Sequence, residues 1–197
     1  MAISAKQVKE LRDMTGTGMM DCKRALEETN GDLEQAVDLL RSRGGAKAAK
    51  REAKSASEGV IGTYVHHSGR IGVMVQVNCE TDFVANTDDF RGLARDLAMH
   101  IAASGPLAVS VDDIPAADVE RERAVYMAQV AEEGKPENIR GKIVDGKLAK
   151  WYKDVALLEQ PFIKDPDLKI ADLVTQVSAK TGEKIEVARF ARFSVGG

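Results

Sequence analysis

Asn78-Cys79-Glu80-Thr81-Asp82-Phe83-Val84-Ala85 is the stretch where the hydrophobic period of this chain changes. Before it, Ile71, Val73, Val75, Val77 and Cys79 fall on alternate positions, the spacing of one face of a strand. After it, Phe90, Leu93, Ala94, Leu97 and Ile101 fall at helical spacing and define one face of a helix. The residues between form a strand-to-helix corner, in which Thr81 or Asp82 can cap the backbone N–H groups that open a helical turn. Phe83 then has two destinations. It folds back onto the core while Asp82 complements a helix N-terminus, or it is presented to a partner as an aromatic wedge beside a carboxylate.

Working outward toward the N-terminus, the punctuation is that of three short helices. Ser4 and Gln7 form a capping box with Ile3 stapled onto Val8, so a helix starts at Ala5, shows Val8 and Leu11 on one face and stops near Thr15-Gly16. A second runs from about Met19 to Thr29 and buries some of Cys22, Ala25 and Leu26. Asn30-Gly31 ends it with a left-handed cap. Asp32 with Gln35 opens a third, with Leu33, Ala36, Val37 and Leu40 as its stripe, and Gly44-Gly45 are expected to release it. Met19 and Met20 point about 100° apart on a helix, so both cannot face so small a core. The loop Thr15-Gly16-Thr17-Gly18 lacks the lysine, spacing and preceding strand of a phosphate-binding loop.

Val60 to His67 and Arg70 to Cys79 read as a β-hairpin turning at Ser68-Gly69. His66 and His67, taken as neighbours on a strand, point to opposite faces and do not converge on a metal. Beyond the corner helix, helical patterns cover Asp118 to Glu132 and Pro136 to Leu158, with breaks at Gln160-Pro161 and Asp165-Pro166. A helix over Ile170 to Thr181 follows, and strand character returns from Lys184 to Val195. In that last run Ile185, Val187, Phe193 and Val195 share one parity and Phe190 has the other, so either the register shifts near Ala188 or both faces are covered.

With 197 residues, 44% hydrophobic content and a net charge of −3, the chain has the composition of a globular protein and is too acidic for one that coats nucleic acid. No apolar run reaches the roughly 18 residues of a membrane helix and the N-terminus lacks a signal-peptide core, so the expected location is cytoplasmic. Between Arg41 and Lys54, six basic residues (Arg41, Arg43, Lys47, Lys50, Arg51 and Lys54) face the single acid Glu52. Without interleaved aromatics, this reads as a solvated helical linker. Cys22 and Cys79 match no redox or metal spacing and are expected to be packed, reduced thiols. No nucleophile, base or metal constellation is present, so no enzymatic activity and no cofactor are expected. Cys79 as a nucleophile lacks a convergent base.

Several stretches together resemble bacterial elongation factor Ts, the guanine-nucleotide exchange factor of elongation factor Tu. These are Val8 to Arg12, Thr15 to Lys23, Lys47 to Lys50 and above all Asn78 to Ala85. The resemblance implies an α+β protein: a ubiquitin-associated-like three-helix domain over residues 1–45, a basic helical linker over 46–57 and an α+β core with a small antiparallel sheet over 58–197. By matching position it places Thr81, Asp82, Phe83 and Val84 beside the magnesium site of the partner's G domain, and Arg12, Met19 and Met20 against that same domain. Long members of the family carry a second core repeat and an extended coiled-coil insertion. This chain has room for neither, which leaves sheet edges uncovered and leads us to expect a homodimer. An alternative from another class is a ubiquitin-associated-like adaptor without exchange activity. It accounts for residues 1–45 and leaves Thr81 to Val84 unexplained.

Overall fold

A computed structural model of the chain describes residues 3–49 and 54–196, with backbone alone for 45–49. Its helices and strands make an α+β protein with small antiparallel sheets. By internal contacts the chain forms two compact units. One comprises Met1–Ile61, Gln76–Ala94 and Asp172–Val187; the other comprises Gly62–Val75, Arg95–Ala171 and Ala188–Gly197.

In the first unit, α1 (Ala5–Thr15), α2 (Met19–Glu28) and α3 (Leu33–Ala49) form a bundle around Val8, Leu11, Cys22, Ala25, Leu26, Ala36 and Leu40, with Ile3, Leu33 and Val37 packed at its margin. The capping signals operate as the sequence predicts. Gln7 N donates to Ser4 Oγ at 3.2 Å while Ser4 N donates back to Gln7 Oε1 at 3.0 Å. Gln35 N donates to Asp32 Oδ1 at 3.0 Å, and Asn30 and Gly31 both take positive φ, 53° and 88°.

Gly44-Gly45 do not release the third helix. α3 continues through them to Ala49, because Gly44 is buried and a Cβ there would stand 3.3 Å from Ala179 Cβ. The missing side chain is used for close packing, which outweighs the poor helix propensity of glycine. Within the segment 46–57, Lys50, Arg51 and Glu52 lie outside the described residues, as does the side chain of Lys47. Of the basic residues that are described, Arg41 pairs with Asp172 at 3.8 Å, Arg43 with Glu28 at 2.5 Å and Lys54 with Glu80 at 2.7 Å.

The larger sheet has the order β1 (Glu58–Val65), β2 (Ile71–Cys79), β5 (Glu186–Ser194). Val73, Val75, Val77 and Cys79 are buried, as the alternation predicts. β1 and β2 approach so closely that a Cβ on Gly59 would meet Val77 O at 2.2 Å. His66 and His67 have already left the strand and sit in the turn. There their rings meet edge to face, with His67 Nδ1 and His66 Nε2 3.1 Å apart, contrary to the opposite faces expected of strand neighbours. Along β5 the inward side is odd at Val187 and even at Phe190 and Ser194, so the side chains change face near Ala188.

After the corner, α5 (Asp88–Ser104) buries Phe90, Leu93, Ala94, Leu97 and Ile101, all on the predicted stripe. α6 (Ala116–Glu132) and α7 (Glu137–Val155) pair with each other as an antiparallel hairpin around Val130, Val144 and Leu148. Its rim carries Arg123 Nη1 to Asp145 Oδ1 at 2.9 Å and Lys147 Nζ to Glu133 Oε1 at 3.4 Å. The segment read only as breaks holds a short hairpin, β3 (Pro161–Phe162) with β4 (Asp165–Lys169), ahead of α8 (Ile170–Thr181). His100 is buried on α5. Its Nδ1 accepts from Ile163 N at 3.3 Å, so Nε2 carries the proton, toward Gln160 Oε1 at 2.9 Å. Among the described residues, no helix is long and apolar enough to cross a membrane.

Candidate functional site

The corner closes into a single helical turn, α4 (Asp82–Ala85), between β2 and α5. Thr81 takes an extended conformation at its N-cap and accepts from Val84 N at 3.4 Å. Thr87 Oγ1 donates to Val84 O at 2.8 Å and accepts from Phe90 N at 3.3 Å, closing one turn and opening the next helix. So tight a corner leaves Ala85 inward and buried, Thr81 and Val84 half-buried, and Asp82 and Phe83 outward. Phe83 is 81% exposed. Of the two destinations open to it in the sequence, the ring takes the one away from the core. An aromatic group held at that exposure on an ordered turn is unusual for a residue type that dominates cores and interfaces.

The three N-terminal candidates gather close by. Met19 and Met20 begin α2 and are 44% and 65% exposed, so neither enters the bundle core. Arg12, Met19 and Val84 line one open groove of about 460 Å³ together with Gly16, Thr87 and Lys180. Gly16 ends α1 in the left-handed conformation (φ 65°), and the Lys180 stem crosses it, 3.1 Å from where a Cβ would be. Lys180 Nζ reaches Asp89 Oδ1 at 2.7 Å. Residues separated by about 70 positions in sequence thus share one surface, although Met20, Asp82 and Phe83 stand outside the groove lining.

A residue that sequence reasoning did not single out fixes this geometry. The Glu183 carboxylate accepts Glu80 N and Thr81 N, each at 3.0 Å, and the Thr81 hydroxyl at 2.6 Å. In the sequence, Glu183 is an acidic residue after a helix-ending Thr-Gly, with no periodic or motif signal to mark it.

Neither cysteine has the setting of a nucleophile. Both are buried free thiols. Burial pushes Cys79 above the ordinary thiol range and the neighbouring Glu183 charge adds to that. Cys22 is raised mainly by burial. Cys79 Sγ points to Thr81 O at 3.1 Å, a carbonyl that cannot take up its proton as a base. Among the described residues, no group of three or more His, Cys, Asp or Glu could hold a metal ion.

An exposed aromatic corner and an adjacent methionine-edged groove are the surface features that mark this part of the chain. Residues 5–197 match the family described as Elongation factor TS. The chain is 56% identical over 194 residues to elongation factor Ts of Desulfosudis oleivorans, covering 98% of each chain. It is 55% identical to that of Carboxydothermus hydrogenoformans over 98% of this chain and 89% of the relative. To that of Syntrophobacter fumaroxidans it is 53% identical over 100% and 98%. This chain belongs to the elongation factor Ts family. The match extends far beyond residue 45, so an adaptor reading confined to the three-helix bundle does not account for it.

Proposed function

We propose that this protein is the guanine-nucleotide exchange factor of elongation factor Tu, and that it speeds GDP release by intrusion of Thr81 to Val84 beside the partner's magnesium ion. The observation that carries this reading is the outward Phe83 on an ordered, capped turn. In this reading Phe83 enters the partner's surface and favours a displaced backbone around the metal, while Asp82 brings a carboxylate next to the ion. Loss of the ion uncovers diphosphate charge that it had neutralised. Residues 1–45, through Arg12, Met19 and Met20, act as the docking domain on the G domain. Residues 46–57 connect it to the core, 58–197. No covalent bond is made or broken and no cofactor is required.

Such a factor works by linkage. It binds the nucleotide-free partner better than the GDP-bound one, so factor and GDP weaken each other's binding by the same free energy. A thousandfold acceleration needs a barrier lower by about 4 kcal/mol. That lies within reach of one buried aromatic, about 1.5–3 kcal/mol, together with a disturbed metal site. The direct test is release of labelled GDP from purified elongation factor Tu with and without this protein. An unchanged release rate at saturating factor would refute the proposal.

The exposed end of the last strand supports a homodimer as well. Phe193 and Val195 are 68% and 63% exposed and line an open groove with Val65 and Arg70. Arg70 O accepts Val195 N at 2.9 Å, so the strand end is ordered while its apolar side chains stay uncovered. β5 lies at one edge of the sheet, where a second copy can pair without a covalent link. Phe190 is half-buried on the opposite side of the strand, which leaves Phe193 and Val195 as the residues of that contact.

A further inference from the structure

The corner that carries Phe83 is tied to a residue about a hundred positions away. Glu183, in the turn between α8 and β5, gathers both backbone N–H groups and the hydroxyl of Glu80 and Thr81 on one carboxylate. The tie is reciprocal. Lys184 N donates to Glu80 Oε1 at 2.7 Å, and Glu80 Oε2 holds Lys54 Nζ at 2.7 Å. Hydrogen bonds to an ionised acceptor are about twice as strong as neutral ones, and here they converge on the two residues just before the helical turn.

The chemistry of the Thr81 hydroxyl makes this more than an anchor. A hydroxyl has one proton, and Thr81 gives it to Glu183 at 2.6 Å, which aims a lone pair at Val84 N. Glu183 therefore selects the hydroxyl orientation that caps α4, the turn on which Phe83 stands outward. We propose that Glu183 is a positioning residue of nucleotide exchange, which orders the Thr81 to Val84 turn before the partner is met. The inference rests on the reading of Phe83 as the intruding residue. A corner ordered in advance loses less conformational freedom in the complex and holds its aromatic in the geometry that acts.

The test compares the full chain with Glu183→Ala and Glu183→Gln by two measurements. One is amide hydrogen exchange; the other is release of labelled GDP from elongation factor Tu across factor concentration. For Glu183→Ala, exchange at Glu80, Thr81 and Val84 should be on the order of tenfold faster, with the bundle amides of Val8, Leu11 and Cys22 unchanged. Its maximal release rate should fall on the order of tenfold while the half-saturating concentration moves by less than about twofold, since the groove contacts remain. Glu183→Gln keeps an acceptor for the two amides and turns an NH₂ group toward Thr81. It should show faster exchange at Val84 and an intermediate maximal rate. Wild-type rate and Val84 exchange in the glutamine variant overturn the proposal. So does an alanine variant whose loss lies wholly in half-saturating concentration. Failure of the wild-type chain to accelerate GDP release would instead refute the exchange reading, and the amide measurement would still judge the carboxylate's hold on the corner.

Discussion

Phe83→Ala isolates the wedge, because the free protein hardly uses the ring. At 81% exposure the side chain contributes little to folding. Its truncation should stay within about 0.5 kcal/mol of stability, which for a chain of this size is about 2 °C or less in Tm. In the complex the same ring, moved from near-full exposure into a pocket, is worth about 1.5–3 kcal/mol. If that energy is realised where GDP leaves, its loss slows maximal stimulated release by roughly 10- to 160-fold, at 1.36 kcal/mol per tenfold. Stopped-flow release of a fluorescent GDP derivative from elongation factor Tu, run across factor concentration, reads this directly. Phe83→Leu should keep a large part of the rate because most of the apolar area survives. A Phe83→Ala protein that melts normally and releases GDP at the wild-type maximal rate would refute the wedge. A drop in Tm of more than about 5 °C would show that the ring packs on the protein itself.

Met19→Ala with Met20→Ala should raise the half-saturating concentration on the order of tenfold and leave most of the maximal rate, since each removes a flexible apolar contact and neither touches the corner; a reduced maximal rate at saturation would contradict this. His100 is buried and its pKa is pushed below 6.5 by burial, so the unfolded chain binds a proton that the folded chain refuses. Stability should therefore decline as the pH falls from about 6.5, with a slope of at most about 1.4 kcal/mol per pH unit, and level off below the folded pKa. Urea midpoints from pH 7.5 to 5 check this, with His100→Gln expected to flatten the slope. Sedimentation equilibrium at micromolar concentration should give twice 21.3 kDa. Phe193→Asp should reduce that to the single-chain mass without unfolding, and a wild-type mass near one chain throughout would exclude the dimer.

Much of the fold was legible because it rests on local chemistry. The Ser4 and Asp32 boxes, the left-handed Asn30-Gly31 pair, the β2 alternation and the α5 stripe are each decided by residues within one or two turns of one another. What the sequence hid depends on distant partners. Gly44-Gly45 carry a stop signal that close packing on Ala179 overrides. The two histidines were assigned to the strand on pattern, yet the strand ends at Val65, two residues earlier than the pattern suggests. The β3 and β4 strands are too short to show a period. At the site, the corner and its cap were readable, and the direction of Phe83 was not, because both directions satisfy the same local pattern. Glu183 was invisible for a related reason: a carboxylate after Thr-Gly looks like ordinary surface until the fold brings Thr81 to it.

The shared groove changes how the N-terminal bundle should be tested. From the sequence, removing residues up to about Lys50 is expected to weaken binding and spare some exchange, as if the bundle were a detachable handle. The geometry couples them more closely. Arg12 and Met19 line one groove with Val84, and Gly16 receives the Lys180 stem. A truncation would uncover Val84 and Lys180 to water as well as remove contacts to a partner, so a loss of maximal rate in such a protein would not separate docking from positioning. Substitutions at Met19 and Met20 leave the bundle core in place, and so divide affinity from rate. If those substitutions affect only half-saturation while Glu183→Ala affects only the maximal rate, the two functions are separable even though their residues meet on one surface.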